Sequence, residues 1–217
     1  MRRNLIAEGV GTALLLAAVV GSGIMAERLS GGNNAIALLA NAIATGAALY
    51  PLILSFDGLS GAHFNPAVSL VMAINGELRW RLVAPYALVQ TIGAITGVWL
   101  AHLMFDMPIL QISPKLRTGI GQWAGEFVAI FGLIMVIECG RRRFAAQLPA
   151  TVASYIVAAY WFTSSTSFAN PAVTIARSLT ATFAGIAPEN AAAFIVAQFA
   201  GAIVSAALFG WLYRESR

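Results

Sequence analysis

The sequence predicts an all-α integral membrane protein with six transmembrane helices and two re-entrant half-helices, built as two inverted three-helix repeats. Three observations predict this fold: the composition, the spacing of long apolar runs, and a tripeptide, Asn-Pro-Ala, that occurs twice. Of 217 residues, 59% are hydrophobic and only 10% are charged. Because a soluble domain is about 25% charged, we expect most of this chain to lie in a lipid bilayer.

Six long apolar runs account for the predicted transmembrane helices. A bilayer core about 30 Å thick needs about 20 residues of helix, and five of the runs reach that length. They are residues 5–25, 35–56, 82–105, 120–139 and 191–213. A sixth run, residues 148–162, is long enough only if its helix continues to about Thr166. A cleaved signal peptide is an alternative for the first run, but five further runs follow it and no clear small-residue cleavage site is present.

The basic residues predict the orientation of the helices. If the N-terminus is cytoplasmic, nine basic residues lie inside and four lie outside, which agrees with the positive-inside rule. The inside set is Arg2, Arg3, Arg79, Arg81, Arg141, Arg142, Arg143, Arg214 and Arg217, and the outside set is Arg28, Lys115, Arg117 and Arg177. Both termini are therefore predicted to be cytoplasmic. The net charge of +4 then reflects topology and does not indicate binding of nucleic acid.

Three matched markers predict an internal repeat. They occur in the same order in both halves, at offsets of 118, 105 and 108 residues: Glu8 with Glu126, Asn65 with Asn170, and Gln90 with Gln198. Since each unit has three helices, an odd number, the second unit enters the membrane from the opposite side. We expect one membrane domain over residues 1–217, with repeats at roughly 1–108 and 118–217.

The two tripeptides predict two half-helices that meet in the middle of the membrane. Asn favours the N-cap of a helix and Pro its first turn, so helices should begin at Asn65-Pro66-Ala67 and Asn170-Pro171-Ala172. The predicted helices, residues 66–75 and 171–183, are only about half as long as the bilayer core requires. One copy would be explained as a simple helix cap. Two copies at matched positions favour a functional role.

These motifs resemble the major intrinsic protein family, the aquaporins and aquaglyceroporins, over nearly the whole chain. The resemblance is carried by "SGAHFNPAV", the second "NPA", a Glu in the first helix of each half, and "Q-x-x-G-A" in the last. It implies a homotetramer in which each protomer has its own pore. It also implies that Glu8 and Glu126 brace the re-entrant loops, although a proton relay is the alternative for intramembrane carboxylates. We find no nucleophile–base pair, phosphate loop or metal cluster, and expect no enzyme activity, cofactor or metal.

The expected mechanism follows from the two converging helix N-termini, which place partial positive charge at the membrane midplane. Asn65 and Asn170 should donate hydrogen bonds to a passing oxygen atom. The hydrogens of water or a hydroxylated solute must then point outward, toward backbone carbonyls, which interrupts a proton wire and repels cations. The predicted carbonyls are those of Gly61, Ala62 and His63 on one side, and Thr166, Ser167 and Phe168 on the other.

The resemblance places a selectivity filter at four positions. Counting from the Asn residues, they are Thr45, Ala158, Ser167 and Val173, with Ala159 or a neighbour as the alternative to Ala158. Val173 stands where nearly all family members carry Arg, and bacterial aquaporins found with arsenic-resistance genes are similar in this respect. A wide, uncharged filter is expected. It suggests a bacterial inner-membrane channel for arsenite or other neutral metalloid hydroxides and small polyols, with water. A water-selective channel, a general glycerol or urea facilitator, an ion channel and a coupled transporter remain alternatives.

Arg177 is a second departure in the same segment. It follows Val173 by four residues, so both lie on one helix face about one turn apart. Helical side chains lean toward the N-terminus, here toward the filter, so Arg177 is a candidate to replace the missing Arg. The alternative is an arginine of the outer vestibule that is paired elsewhere.

Overall fold

The computed structural model describes residues 2–213, which form helices and loops with no β-strand. The predicted all-α membrane fold is therefore confirmed. The eight α-helices are α1 (Arg2–Leu29), α2 (Asn34–Ser60), α3 (Pro66–Ile74), α4 (Val83–Met104), α5 (Ile120–Arg143), α6 (Leu148–Phe162), α7 (Pro171–Arg177) and α8 (Pro188–Leu212). Short 3₁₀ turns, Trp80–Leu82 and Ala145–Gln147, precede α4 and α6. Of the predicted inside residues, Arg214 and Arg217 lie outside the described residues.

Five of the described helices are long and apolar enough to cross a membrane. They are Arg2–Leu29, Asn34–Ser60, Trp80–Met104, Ile120–Arg143 and Pro188–Leu212. The start of α1 and the ends of α5 and α8 lie on one side of the bundle. The Arg142 guanidinium lies 4.8 Å from the ring centre of Tyr213, and Asn4 lines the same cavity as Arg141. We call this side the terminal face and the opposite side the distal face.

The sixth membrane helix, α6, is shorter than predicted. It has 15 residues, about 22 Å of helix, and ends at Phe162 instead of continuing to about Thr166. The backbone turns extended at Thr163 (φ −106°, ψ 136°), and the Thr163 hydroxyl donates to the carbonyl of Ala159 at 2.7 Å. The helix stops there because the next residues form the re-entrant loop that leads to α7.

The two halves pack in the same way. In the first half α1 packs against α4 and α2, and in the second half α5 packs against α8 and α6. Glycines let α4 approach α1 and let α8 approach α5 closely. A Cβ atom at Gly93 would lie 2.2 Å from the carbonyl oxygen of Gly9, and one at Gly201 would lie 2.4 Å from the carbonyl oxygen of Phe127. Close packing at small residues is how membrane helices gain van der Waals contact.

The half-helices α3 and α7 contact each other inside the bundle, and each begins at the predicted Asn N-cap. The prediction that the second half-helix runs to residue 183 is wrong, since α7 ends at Arg177. The carbonyl of Arg177 accepts a hydrogen bond from the backbone N–H of Ile186 at 3.2 Å, and that of Ser178 accepts from the N–H of Ser113 at 2.9 Å. These carbonyls bond to loops and cannot continue the helix.

Candidate functional site

The first re-entrant loop, residues 61–65, is held by a buried carboxylate. Glu8 of α1 accepts hydrogen bonds from the backbone N–H groups of His63 (3.0 Å) and Phe64 (2.7 Å). It also accepts from the Ser60 hydroxyl at 2.6 Å and the Gln90 amide at 2.8 Å. Four donors therefore surround one carboxylate, and they tie α1, α2 and α4 to the loop.

Glu126 of α5 holds the second re-entrant loop, residues 163–170, in the same way. It accepts from the backbone N–H groups of Phe168 and Ala169, both at 2.8 Å. The Gln198 amide donates to Glu126 at 2.5 Å and to the Thr174 hydroxyl at 2.9 Å. The predicted pairing of Glu8 with Glu126 and of Gln90 with Gln198 thus corresponds to equivalent contacts in the two halves.

Both loops contain residues in the left-handed region of backbone space. These are Ala62 (φ 46°), Phe64 (φ 48°), Thr166 (φ 61°), Ser167 (φ 49°) and Ala169 (φ 48°). Such a conformation costs on the order of 1–3 kcal/mol for a residue other than glycine and persists only where the surroundings impose it. Here the carboxylates bond to N–H groups within the strained stretches, so they help to impose it.

The two Asn N-caps cross over between the halves. The Asn65 side-chain amide donates to the carbonyl of Ala169, and the Asn170 amide donates to the carbonyl of Phe64, both at 2.7 Å. Each side-chain oxygen accepts from the first turn of its own half-helix. An Asn amide has two hydrogens, so one on each side remains for a molecule in the adjoining cavity. The Pro and Ala of each motif, Pro66, Ala67, Pro171 and Ala172, are buried in the first helical turns.

A cavity of about 100 Å³ runs beside these residues, from the terminal-face side to the distal-face side of the bundle. Most of the predicted site residues line it: Thr45, Gly61, Ala62, His63, Asn65, Ser167, Phe168, Asn170, Val173 and Arg177. Thr166 does not line it, which corrects that prediction. The Thr166 hydroxyl instead lies 3.5 Å from the Arg117 guanidinium, from which it accepts a hydrogen bond.

The prediction of Ala158 as the filter residue on α6 is wrong. Ala158 is exposed on the outer surface of the bundle, while Val152, Ile156 and Tyr160 line the cavity at intervals of four residues. Residues i and i+4 share a helix face, whereas i and i+2 do not, so Ala158 points away. Counting from Asn170 failed because α6 ends early and the loop that follows it has its own length.

The cavity wall at this level carries three hydroxyl groups. The hydroxyls of Thr45 and Tyr160 lie 3.3 Å apart, and the buried Ser167 hydroxyl has no hydrogen-bond partner within residues 2–213. Val173 adds an apolar surface. The filter expected from Thr45, Ala158, Ser167 and Val173 is therefore revised, because Tyr160 lines the cavity in place of the smaller Ala158.

Arg177 lines the cavity and is only 2% exposed. Its guanidinium carbon lies 3.4 Å from the centre of the Phe168 ring, and its Nε donates to the carbonyl of Ala184. Arg177 thus borders the cavity and is also bonded to the outer loop, so it combines features of both alternatives considered from the sequence.

Sequence reasoning missed Arg117. This residue of the loop between α4 and α5 is buried, and its guanidinium carbon lies 5.2 Å from the ring centre of Phe168. It donates to the carbonyls of Gly185 (2.9 Å) and Ser165 (3.2 Å). Burial lowers the pKa of Arg117. No sequence signal distinguishes Arg117 from Lys115 or Arg28, since only the fold brings it to the re-entrant loop.

His63 contacts its own half of the bundle. Its Nδ1 lies 3.0 Å from the Ser69 hydroxyl, and residues 2–213 contain no group of three His, Cys, Asp or Glu side chains that could hold a metal ion.

Comparison with known proteins agrees with this architecture. The family description of the major intrinsic proteins matches residues 1–159. The chain is 54% identical to aquaglyceroporin AqpS of Rhizobium meliloti (strain 1021), over 100% of this chain and 93% of the relative. It is 26% identical to the glycerol uptake facilitator protein of Streptococcus pneumoniae, over 63% of this chain and 64% of the relative. The X-ray structure of the aquaglyceroporin from Plasmodium falciparum superimposes with a TM-score of 0.80 at 19% identity, covering 96% of this chain and 95% of that one.

Proposed function

Because this chain belongs to the major intrinsic protein family, whose members are membrane channels and not enzymes, we propose that it conducts small neutral solutes such as glycerol, together with water, through the cavity described above. The observation that carries the proposal is the cavity wall itself. It combines two Asn amides at the meeting point of two half-helices with three hydroxyls near Val173. Two of the relatives have names that refer to glycerol or aquaglyceroporins, which supports the same solute class.

In the proposed passage, one oxygen atom of water or solute is bound at the midplane at a time. The free amide hydrogens of Asn65 and Asn170 donate to this oxygen, and the N-termini of the half-helices add partial positive charge. The hydrogens of the bound molecule then point away from the midplane, toward carbonyls of the two loops, so water molecules on either side cannot form one uninterrupted proton path. The positive centre also disfavours cations, which argues against an ion channel.

We further propose that neutral metalloid hydroxides such as arsenite are among the solutes. As(OH)₃ carries three hydroxyl groups and no charge at neutral pH. The hydroxyls of Thr45, Tyr160 and Ser167 offer complementary hydrogen bonds, and Ser167 has an unused one. Tyr160 places a larger side chain in the cavity wall than the alanine expected from the sequence, which favours the alternative of a water-selective channel, and a solute panel decides between them.

Arg177 is proposed to supply the filter charge that Val173 lacks. Its guanidinium borders the cavity one helical turn beyond Val173, where a positive charge repels cations. Arg177→Gln is then expected to raise cation leak several-fold with little loss of glycerol flux. The matched control is Arg28→Gln, which removes an exposed arginine from the same distal face. Equal leak in both variants would show that Arg177 is structural.

The decisive experiment measures the permeability of proteoliposomes to water, glycerol, urea and arsenite side by side. Fluxes of glycerol and arsenite well above those of empty vesicles support the proposal. High water flux with glycerol and arsenite at background would establish the water-selective alternative. Fluxes that depend on an ion gradient would instead indicate a coupled transporter.

Val173→Arg should reduce glycerol flux more than water flux, and an equal reduction of both would contradict the filter assignment.

The oligomeric state, membrane and orientation of this channel are proposed from the family and the charge distribution. We propose a homotetramer with one pore in each protomer, embedded in a bacterial inner membrane, with the terminal face toward the cytoplasm. The exposed apolar side chains on α2, such as Ile36, Ile43 and Leu54, supply surface for lipid or neighbouring protomers. Labelling of cysteines introduced at each face, with a membrane-impermeant reagent, tests the orientation.

A further inference from the structure

A second cavity opens on the terminal face beside the mouth of the pore cavity. Its volume is about 370 Å³, and its wall includes Arg79, Arg81, Arg141 and Glu77. We call this cavity the arginine pocket. Three arginines and one glutamate line it, so the wall carries an excess of two positive charges that the described residues of the pocket do not balance.

The arginine pocket and the pore cavity share a wall. Gly61, His63 and Arg141 line both. Arg141 is the charged member of this shared wall. One of its terminal nitrogens pairs with the Glu77 carboxylate, and the other lies 3.4 Å from the sulfur of Met72, which lines the pore.

The Arg141–Glu77 pair is open to solvent. The two side chains are 38% and 39% exposed. Ion pairs with this exposure contribute little to stability, typically less than about 1 kcal/mol. A competing anion can therefore take Arg141 from Glu77 at little cost.

We propose that the arginine pocket binds a phosphate group and holds Arg141 there, away from the pore mouth. A guanidinium presents a planar pair of N–H donors that matches phosphate oxygens bidentately, and three such groups line this pocket. The wall residues Arg79, Arg81 and Leu82 come directly before α4 in the chain, and the N-terminus of this helix adds partial positive charge. The binding does not depend on which solute the channel conducts.

The phosphate can come from either of two sources. Trp80 lies between Arg79 and Arg81 in the chain and is 62% exposed. Exposed tryptophans are enriched at the membrane–water interface, so an anionic lipid headgroup can reach the pocket. A free phosphate in the aqueous phase can also reach it, because the arginine side chains are exposed.

The test uses the full-length protein and two probes, inorganic phosphate and vesicles that contain phosphatidylglycerol. Thermal unfolding of the detergent-purified protein is followed with increasing phosphate, against chloride at equal ionic strength. It is then repeated in phosphatidylcholine vesicles with and without phosphatidylglycerol. Wild type is compared with Arg79→Gln/Arg81→Gln and with a matched control, Arg2→Gln/Arg3→Gln, which removes two exposed charges near the same face.

Binding of free phosphate is expected to raise the unfolding temperature of wild type and control, with a half-saturating concentration at least tenfold higher in Arg79→Gln/Arg81→Gln. A rise only with phosphatidylglycerol, lost in the same variant, identifies the lipid as the source. No rise with either probe, or the same rise in Arg79→Gln/Arg81→Gln as in the control, overturns the proposal.

Two further measurements keep the proposal open to refutation if the double variant does not fold. Glu77→Gln removes the competing carboxylate and should tighten binding several-fold, and unchanged binding would contradict the pocket. Glycerol flux of wild-type vesicles should rise about twofold with the bound probe, because Arg141 leaves the pore mouth. Binding without any change in flux would overturn the link to the pore, whereas a failed solute panel with intact binding would count only against the proposed channel function.

Discussion

Replacing Glu126 by glutamine tests whether the carboxylate holds the second re-entrant loop. The glutamine oxygen can still accept from the N–H of Phe168, but its NH₂ group now faces two donors, the N–H of Ala169 and the amide of Gln198. Each buried donor without an acceptor costs about 1–3 kcal/mol. The free energy of unfolding should therefore fall by about 2–6 kcal/mol.

Rotation of the Gln198 amide does not recover this loss. Its side-chain oxygen, which is buried without a partner, could then accept from the new glutamine, but its NH₂ group would leave the Thr174 hydroxyl. The Ala169 N–H and the Gln198 NH₂ would both lack acceptors, so the loss stays at about 2–6 kcal/mol. For a chain of this length, 1 kcal/mol corresponds to about 2–4 °C in the unfolding temperature.

The assay combines thermal unfolding in detergent with glycerol flux in proteoliposomes. Glu27→Gln is the matched control, since Glu27 is exposed at the distal end of α1. We expect Glu126→Gln to unfold at least about 4 °C below the control and to lose flux, because Ala169 (φ 48°) is no longer held. If Glu126→Gln and the control have the same unfolding temperature and flux, the bracing argument is refuted.

Three further predictions concern packing, the filter and pH. Gly93→Ala should destabilise the protein by about 1–3 kcal/mol through overpacking, while Gly210→Ala, where a Cβ meets nothing within 4 Å, should be neutral or stabilising in thermal unfolding. Tyr160→Phe should lower glycerol flux about 2–10-fold, the equivalent of one hydrogen bond, and should affect water flux less. The control Tyr155→Phe changes a tyrosine outside the cavity and should leave the ratio of glycerol to water flux unchanged. The same change of this ratio in both variants would contradict the assignment of Tyr160 to the filter. Burial and the neighbouring Arg117 and Arg177 lower the pKa of Lys115 from 10.5 to about 8, so the unfolded state binds more protons between these pH values and stability should rise with pH across them. Lys115→Met should flatten that rise in unfolding temperatures measured from pH 7 to 10, and an unchanged slope would contradict the assignment.

The helical membrane fold, the inverted repeat and the starts of both half-helices could be predicted from the sequence. Long apolar runs and N-capping Asn-Pro pairs act locally, within one helix or one turn, so the physical signal lies in neighbouring residues. The matched carboxylates could be paired for the same reason, because Glu8 and Glu126 are the only acidic residues early in the first helix of each half.

The filter could be predicted only where spacing from the Asn motif is short. Ser167 and Val173 lie three residues from Asn170 and line the cavity, because so short a segment leaves little freedom. Ala158 lies twelve residues away, across a helix end and a strained loop, and the counting failed by two residues. A shift of two positions on a helix moves a side chain to the far face.

Composition and short-range patterns therefore determined by themselves that this chain crosses a membrane in two inverted halves and that two Asn-capped half-helices meet within it. Tertiary structure alone decided that Tyr160 faces the cavity, that Arg177 stacks on Phe168 beside it, and that Arg117 reaches the same ring from a distant loop. The reason is physical: a helix end or cap depends on adjacent residues, whereas the position of a side chain in a shared cavity depends on where several elements stop and how closely they pack.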